Sequence, residues 1–483
     1  MPASATKALR VAVLADSDTR WKWGALTANR IVPQGVPRDV PKGLGTAVQE
    51  DAQEDAQEDS PEDSPEDSNF RLDGYLLRGR ATPTARQLQE VGVRADSLRE
   101  VTAVEFLRTM SEETEDPYDV LVLALVGGGV QAMLHGLNRV WGERTDRPAV
   151  VTGYVGVVYE KLADGLLLRH GADLVLANSR QDADRFRAVY DGVGADSSPV
   201  TEVALPFLGG EPYTGEHDPY TVVFAAQPSV PESRRDRTYL LDRLIRHARS
   251  HPEREVLLKL RSKPGEHTTH IEELPYQKLV QKADPPPNFR LVYGHMGEVL
   301  DRTDLLVTVS STAALESLHR RIPTVVLTDL GVREALGNHH FVGSGCLASW
   351  DQLDAGHRPA PDAEWVARQG VAPGGTPSGG TPSGEGSYAN AFDTARERIA
   401  KLLARPGGLP PLAPYYTPQT APGYLPGILA RHHLGPDGTP LPGAPAADRD
   451  PGPVRQIVRR AARGAYRHGV QRVAPVIRRM GEL

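Results

Sequence analysis

The chain has 483 residues, 55 basic and 62 acidic side chains and a formal net charge of −7, a length that suits two domains better than one core. Ten of those acids fall within residues 50–67, which hold no base; without them the body would carry about +3, so the acidity is local and no nucleic-acid partner is expected. Cys346 is the only cysteine, which excludes an intrachain disulfide and any cysteine cluster for zinc or iron–sulfur.

No apolar run approaches the roughly 18 residues of a spanning helix, and none at the start has signal length, so a cytoplasmic protein is expected. Leu9–Ala15 reads as a first buried strand. It ends in the polar loop Asp16–Gly24, which carries Trp21, Lys22 and Trp23. Residues 50–68 form an acidic low-complexity repeat that cannot bury apolar surface, and disorder is expected there. A short apolar stretch at Tyr75–Leu77 precedes a helix opening at Pro83, and a further short helix is predicted over Val101–Met110. The strongest strand of the first half, Asp119–Val126, runs into Gly127, Gly128 and Gly129, which permit close approach of a backbone or ligand. A strand at Ala149–Thr152 leads to Gly153-Tyr154-Val155-Gly156. A helix over Tyr159–Arg169, a strand over Asp173–Ala177 and a helix capped at Asn178 or Ser179 complete the series. Strands that are apolar throughout and alternate with helices predict a parallel sheet covered on both faces.

The same rhythm restarts after a Gly/Pro-rich stretch, residues 206–219, which reads as a hinge. Strands are predicted at Tyr220–Ala226, Val256–Leu260 and Phe289–Tyr293, with a helix over Arg237–Ser250. Leu305–Leu327 then reads as strand, hydroxyl-rich turn, helix and strand. The expected fold is α/β, with two Rossmann-like domains facing a central cleft. The first would span 1–205 and the second 220–404, the latter with a repeat linker over 374–386 and a helix over Tyr388–Leu403. A Pro-rich linker over 405–453 would follow. Residues 454–483 hold eight arginines and one acid and read either as an amphipathic helix on an anionic membrane surface or as a helix or tail without that role.

Several constellations carry chemistry. Ser310, Ser311 and Thr312 open a helix at a strand end, where unpaired N–H groups favour an anion, or they are simple caps. Lys259, Arg261 and Lys263 alternate at another strand end and would share one cationic face suited to a phosphate; a solvated edge is the plain alternative. Arg234, with Arg235 and Arg237, adds a third cationic strand end. Asp16 and Asp18 either supply a general base while Trp21 and Trp23 stack on a sugar, or they cap a helix while the tryptophans pack the core. His339-His340 lacks partners at ligand spacing, so no metal site is expected. Gly343-Ser344-Gly345 has the form of a dinucleotide loop but follows no buried strand, and reads as a loop.

The two-domain rhythm, the Lys259–Pro264 stretch and Val309–Ser317 resemble GT-B glycosyltransferases. The likeness is to the branch of polysialyltransferases, sialyltransferases and cell-wall polymer enzymes. The text from Ala149 to Asn178, with Thr152–Leu162 within it, is similar to a group of actinobacterial glycosyltransferases of unassigned acceptor. The resemblance implies donor-phosphate binding by Ser310 and Ser311, an acidic base in the first domain, and a nonulosonic acid carried on CMP as one donor. Where that branch has a His-Pro pair, this chain has Lys263-Pro264. The expected function is therefore metal-independent, inverting transfer from a nucleotide-sugar co-substrate, without a resident cofactor, to a cell-envelope glycan or glycopolymer. Ser310, Ser311, Thr312, Lys259, Arg261, Lys263, Arg234 and Glu316 would face the donor. Asp16 or Asp18 would be the base, and Trp21, Lys22, Trp23, Gly127, Gly128, Gly129 and Tyr154 would line the acceptor side. A sugar-nucleotide epimerase or a non-catalytic nucleotide-sugar-binding protein would share the architecture.

Overall fold

In the computed structural model, residues 8–33, 70–79, 81–156, 161–263, 266, 274–371 and 388–442 are described. The acidic repeat, the 374–386 linker, the arginine-rich end and Pro264 lie outside them.

Seven all-parallel strands form the first sheet, in the order β3-β2-β1-β4-β5-β6-β7. They are β1 (Leu9–Ala15), β2 (Phe70–Leu77), β3 (Ser97–Val101), β4 (Val120–Ala124), β5 (Ala149–Gly153), β6 (Leu174–Ala177) and β7 (Val200–Glu202). Helices α1 (Asp18–Ile31), α2 (Ala85–Val91), α3 (Ala103–Ser111), α4 (Gly127–Trp141), α5 (Leu162–Leu167) and α6 (Arg180–Gly192) connect them. Strand β1 is buried from Val11 to Ala15 because helices cover both faces, as an apolar parallel strand requires. Neither β3, with three exposed residues, nor the three-residue β7 shows in the pattern, since edge strands lack a continuous apolar run.

The second sheet repeats the layout with six parallel strands in the order β10-β9-β8-β11-β12-β13. These are β8 (Thr221–Ala225), β9 (Glu255–Lys259), β10 (Phe289–Val292), β11 (Leu305–Thr308), β12 (Thr324–Leu327) and β13 (Leu347–Ala348). Its helices are α7 (Arg234–Ser250), α8 (Tyr276–Val280), α9 (Met296–Leu300), α10 (Ala313–His319), α11 (Trp350–Asp354) and α12 (Ala363–Arg368). The order reverses between β1 and β4 in one sheet and between β8 and β11 in the other, and ligands of such sheets bind beyond the carboxyl ends of the strands at that reversal. The connection through residues 203–220 is anchored by buried Asp304, which accepts hydrogen bonds from Tyr213 Oη (3.1 Å), His217 N (2.8 Å) and Thr221 N (2.6 Å).

The third part of the chain departs from the expected boundaries. Helix α13 (Asp393–Leu403) was assigned to the second domain by its place in the sequence. Instead Tyr388, Phe392, Ala395 and Ile399 join the core that holds Trp21 and Ile31, and Arg396 donates to Arg30 O (2.7 Å). The described residues of the expected Pro-rich linker are equally built in. Leu412, Leu425, Ile428, Leu429 and Leu434 complete the apolar cluster under α4, with α14 (Leu425–Ala430) in its midst. Buried Arg147 holds both Asp173 (2.7 and 2.8 Å) and Pro410 O (2.7 and 2.9 Å). Gly171, at φ 102°, lets the chain at Ala413–Pro414 pass where a Cβ would meet backbone at 2.7 Å. Proline disguised a packed segment because it removes regular periodicity without removing apolar side chains.

Candidate functional site

On the first domain, Asp16 follows β1 directly. Its carboxylate accepts from Val126 N (3.0 Å), beyond the end of β4, and from Arg20 (2.9 Å). It therefore braces the strand reversal from within. Ser17 caps α1, accepting from Arg20 N, and Asp18 in the first turn points across the cleft, where Arg261 donates to it at 3.0 Å. Arg261 also donates to Thr19. The period of the helix then sorts the next three residues. Trp21 and Trp23 are each 1% exposed and lie over Gly74 and Gly153, where an added Cβ would meet their rings at 2.6 and 2.8 Å. They are core residues, not a sugar platform. Lys22, between them, turns to the second domain with its ammonium 5.1 Å from the Phe207 ring.

Gly127 lies against Leu168 and Arg169, and Gly128 against Ile428, so the triple glycine accommodates protein. Gly129 packs on Leu125. Tyr154 is half-buried with the Arg169 guanidinium 3.9 Å over its ring, and burial raises its phenol pKa.

On the second domain the three hydroxyls separate. Ser310, 2% exposed, points to Leu336 O (2.5 Å) and Gln227 Oε1 (3.1 Å), joining β11 to the end of β8. It is a brace, contrary to the expected donor contact. Ser311 accepts from Ala313 N (3.3 Å), while its own N–H is taken by Thr308 Oγ1 (3.1 Å). Thr312 makes no side-chain cap and faces Gly156 across the cleft, its Oγ1 3.2 Å from where a Cβ would stand. Ser311 and Thr312 are thus the hydroxyls at the cleft.

The expected common face of Lys259, Arg261 and Lys263 does not form, because β9 ends at Lys259 and strand alternation ends with it. Lys259 is 9% exposed and donates to Leu260 O (3.0 Å). Arg261 crosses to Asp18, and Lys263 is exposed, 5.8 Å over the Tyr293 ring. Arg234 is exposed in the first turn of α7, whereas Arg237 is buried against Tyr276 and the carbonyls of Pro228 and Pro231. Arg237 is thereby taken up inside the second domain.

What replaces that face is a three-dimensional cluster. Burial lowers Lys259 to about 8, with Arg261 and Arg86 lowering it further against Glu90 and Glu316. His295, just before α9, falls to about 4 through burial and then the charges of Lys22, Arg320 and Lys259. Burial raises Glu316, while Lys22, Arg320 and Lys259 pull the other way. Lysines from both domains, Arg320, a neutral imidazole and a buried carboxyl therefore share one site. His295 and Arg320 were missed by the sequence reading. The rule that drew attention to the residues after β11 applies equally after β10, where Tyr293-Gly294-His295 stands. Arg86 crosses the cleft to Glu266, which also accepts from Lys263 N (2.8 Å). Among the described residues no three His, Cys, Asp or Glu side chains gather as metal ligands, and no helix is long and apolar enough to cross a membrane.

Two parallel-sheet Rossmann-like domains with their strand ends facing one cleft define the GT-B architecture. Residues 62–378 match the family described as "Putative glycosyltransferase (DUF6716)", and the chain belongs to that family. It is an enzyme of the glycosyltransferase class.

No curated protein matches the chain. Among solved structures it is similar to a UDP-N-acetylglucosamine 2-epimerase, at 10% identity over 84% of this chain and 100% of that one (TM-score 0.46). The Neisseria meningitidis UDP-GlcNAc 2-epimerase bound to UDP-GlcNAc is 9% identical over 81% and 100% (TM-score 0.43). The glycotransferase of kitacinnamycin is 14% identical over 82% and 95% (TM-score 0.39).

Proposed function

We propose that the chain transfers a sugar, with inversion and without a metal, from a nucleotide-sugar on the second domain to a hydroxyl of a cell-envelope glycan or glycopolymer on the first. The observation that carries this reading is the concentration of Lys22, Lys259 and Arg320 around a neutral His295 at the strand ends of the second domain. Arg320 is already engaged by Asp301 and by the carbonyls of Gly209 and Gly297, so half-buried Lys22 and buried Lys259 are the cations that would meet a diphosphate or phosphate-linked ligand.

Ser311 and Thr312 add hydroxyl donors. Asp18 takes the proton of the attacking hydroxyl; the glycosidic C–O bond forms as the bond from the anomeric carbon to phosphate oxygen breaks, and the nucleotide leaves with that electron pair. Lys259 and Arg261 stabilise the charge that develops on the leaving phosphate. Before the donor arrives, Arg261 is held by Asp18 and Thr19. A phosphate that draws Arg261 away leaves the Asp18 carboxylate free to act as base.

Thermal shift of the full chain with UDP, CMP, GDP and ADP tests the donor site. One nucleotide should stabilise the wild type selectively and lose that effect in Lys259→Met; no response to any of them overturns the reading. Sugar-nucleotide epimerisation is the second reading, favoured by His295 and Glu316, a neutral imidazole and a buried carboxyl near the same cations. Exchange of deuterium into a nucleotide-sugar without acceptor would establish it, whereas glycosyl transfer without exchange removes it.

A further inference from the structure

The segment that returns to the first domain after α13 brings an unassigned group of side chains to the edge of the cleft. Tyr416 and Tyr424 both donate to Asp164, at the start of α5, with Tyr416 Oη 3.2 Å from Oδ1 and Tyr424 Oη 3.1 and 2.9 Å from the two oxygens. Their rings meet edge to face, with centroids 5.3 Å apart, and Tyr415 continues the series 5.2 Å beyond Tyr416. Tyr424 is 42% exposed, and Val126 beside the triple glycine is 39% exposed. The group adjoins the expected catalytic side by a short chain of contacts. Val126 N is held by Asp16, Ile428 lies on Gly128, and His432 is close enough to Asp16 for that carboxylate to oppose the burial-driven fall of its pKa.

We infer that Asp164, Tyr416 and Tyr424 form an acceptor subsite for a hydroxyl-rich saccharide, supplied by a segment outside the two Rossmann-like sheets. An exposed aromatic face offers apolar area to the C–H face of a sugar ring while its hydroxyl remains a polar handle. A carboxylate with two donors already in place still has free lone pairs for sugar hydroxyls. The tyrosine network fixes the orientation of Asp164, so little ordering accompanies binding. Arg431 stands near enough to Tyr424 to oppose the rise of its phenol pKa, so the group suits a neutral or an acidic stretch of glycan. The two tyrosines lie beyond residues 62–378 and Asp164 lies within them, so acceptor choice would depend in part on a segment that the family match does not cover. This inference rests on the transferase reading of the cleft, which the nucleotide arm of the test addresses separately.

The full chain is applied to an array of neutral and acidic oligosaccharides, and the best-bound one is titrated calorimetrically against wild type, Tyr424→Ala, Tyr424→Phe and Asp164→Asn. Nucleotide affinity and melting temperature are measured for each. Loss of a ring contact or of a charged hydrogen bond should weaken saccharide binding about tenfold in Tyr424→Ala and Asp164→Asn, with a smaller loss in Tyr424→Phe. Nucleotide affinity should stay at the wild-type value, and the melting temperatures, lowered by the lost Asp164 bonds, should still lie well above the assay temperature. Equal saccharide affinity in all four proteins overturns the subsite, as does a wild type that binds nucleotide but no saccharide. A wild type that binds neither overturns the transferase reading along with it.

Discussion

The two strand reversals of this molecule occupy equivalent places and present opposite groups. In each, a polar side chain ties the ends of the two central strands: Asp16 to Val126 in the first domain, Ser310 to Gln227 in the second. In each, the residue that faces the cleft stands one or two positions later, Asp18 in one and Ser311 with Thr312 in the other. The first domain thereby offers an acid and the second offers hydroxyls set among cations. In the duplicated fold the residue nearest the strand end is taken up by the scaffold, and its neighbour is the one that faces the cleft.

The comparison is broken most severely by separating the two aspartates. Asp18→Asn should lower kcat by about 10²–10⁴-fold, the range for loss of a general base, with donor affinity retained because Arg261 is released for phosphate. Asp16→Asn should instead act on stability, since it weakens a charge-assisted bond worth about 1.5–3 kcal/mol. Steady-state kinetics beside thermal melts distinguish them; a kcat for Asp18→Asn within threefold of wild type would remove it as the base.

On the other domain, Lys259→Met should weaken donor binding by about 10–100-fold, equivalent to one or two charged hydrogen bonds. The pH dependence has a definite sign. The folded-state pKa of Lys259 is lowered from 10.5 to about 8, so burial of the ammonium opposes folding fully below pH 8 and is relieved as pH rises from about 8 towards 10.5. Phosphate needs the charged form, so wild-type donor affinity should fall above pH 8 while this contribution to stability improves. Lys259→Met should flatten both trends and raise the melting temperature at neutral pH. An affinity profile that is the same in both proteins would show that Lys259 does not touch the donor.

Much of this was legible in the chain and some was not, for physical reasons. The apolar strands followed from period and composition because parallel strands must be buried on both sides. The text pointed to the ends of β9 and β11 in the second half, but His295 and Arg320, which the fold brings beside Lys259, were not among the residues it marked. Alternation placed Lys259, Arg261 and Lys263 together, and the end of β9 at Lys259 cancelled that rule. Trp21 and Trp23 occupy a loop-like text but a helical structure, whose inner face took both rings. His295 and Arg320 act through positions that only the folded cleft brings together. The tyrosines after Leu412 were hidden by proline, which erased the periodic signal of a segment whose Leu412, Leu425, Leu429 and Leu434 are buried.

The smallest and most discriminating comparison is between Ser310 and Ser311. Ser310→Ala removes the hydroxyl that reaches Leu336 O and Gln227 from a site 2% exposed to solvent, and should cost about 1–3 kcal/mol of stability by leaving the buried Leu336 carbonyl unpaired, while Gln227 keeps the Ser310 N–H. Its donor affinity per folded molecule should be unchanged. Ser311→Ala removes only a 3.3 Å cap to Ala313 N, which is worth about 0.5–2 kcal/mol at a regular N-cap and less at this distance. If the neighbour rule holds, Ser311→Ala should weaken donor binding several-fold with little change in melting temperature. The reverse pattern, with affinity lost in Ser310→Ala and stability lost in Ser311→Ala, would mean that the brace and the binding residue have been assigned the wrong way round in the second domain, and the parallel with Asp16 and Asp18 would fall with it.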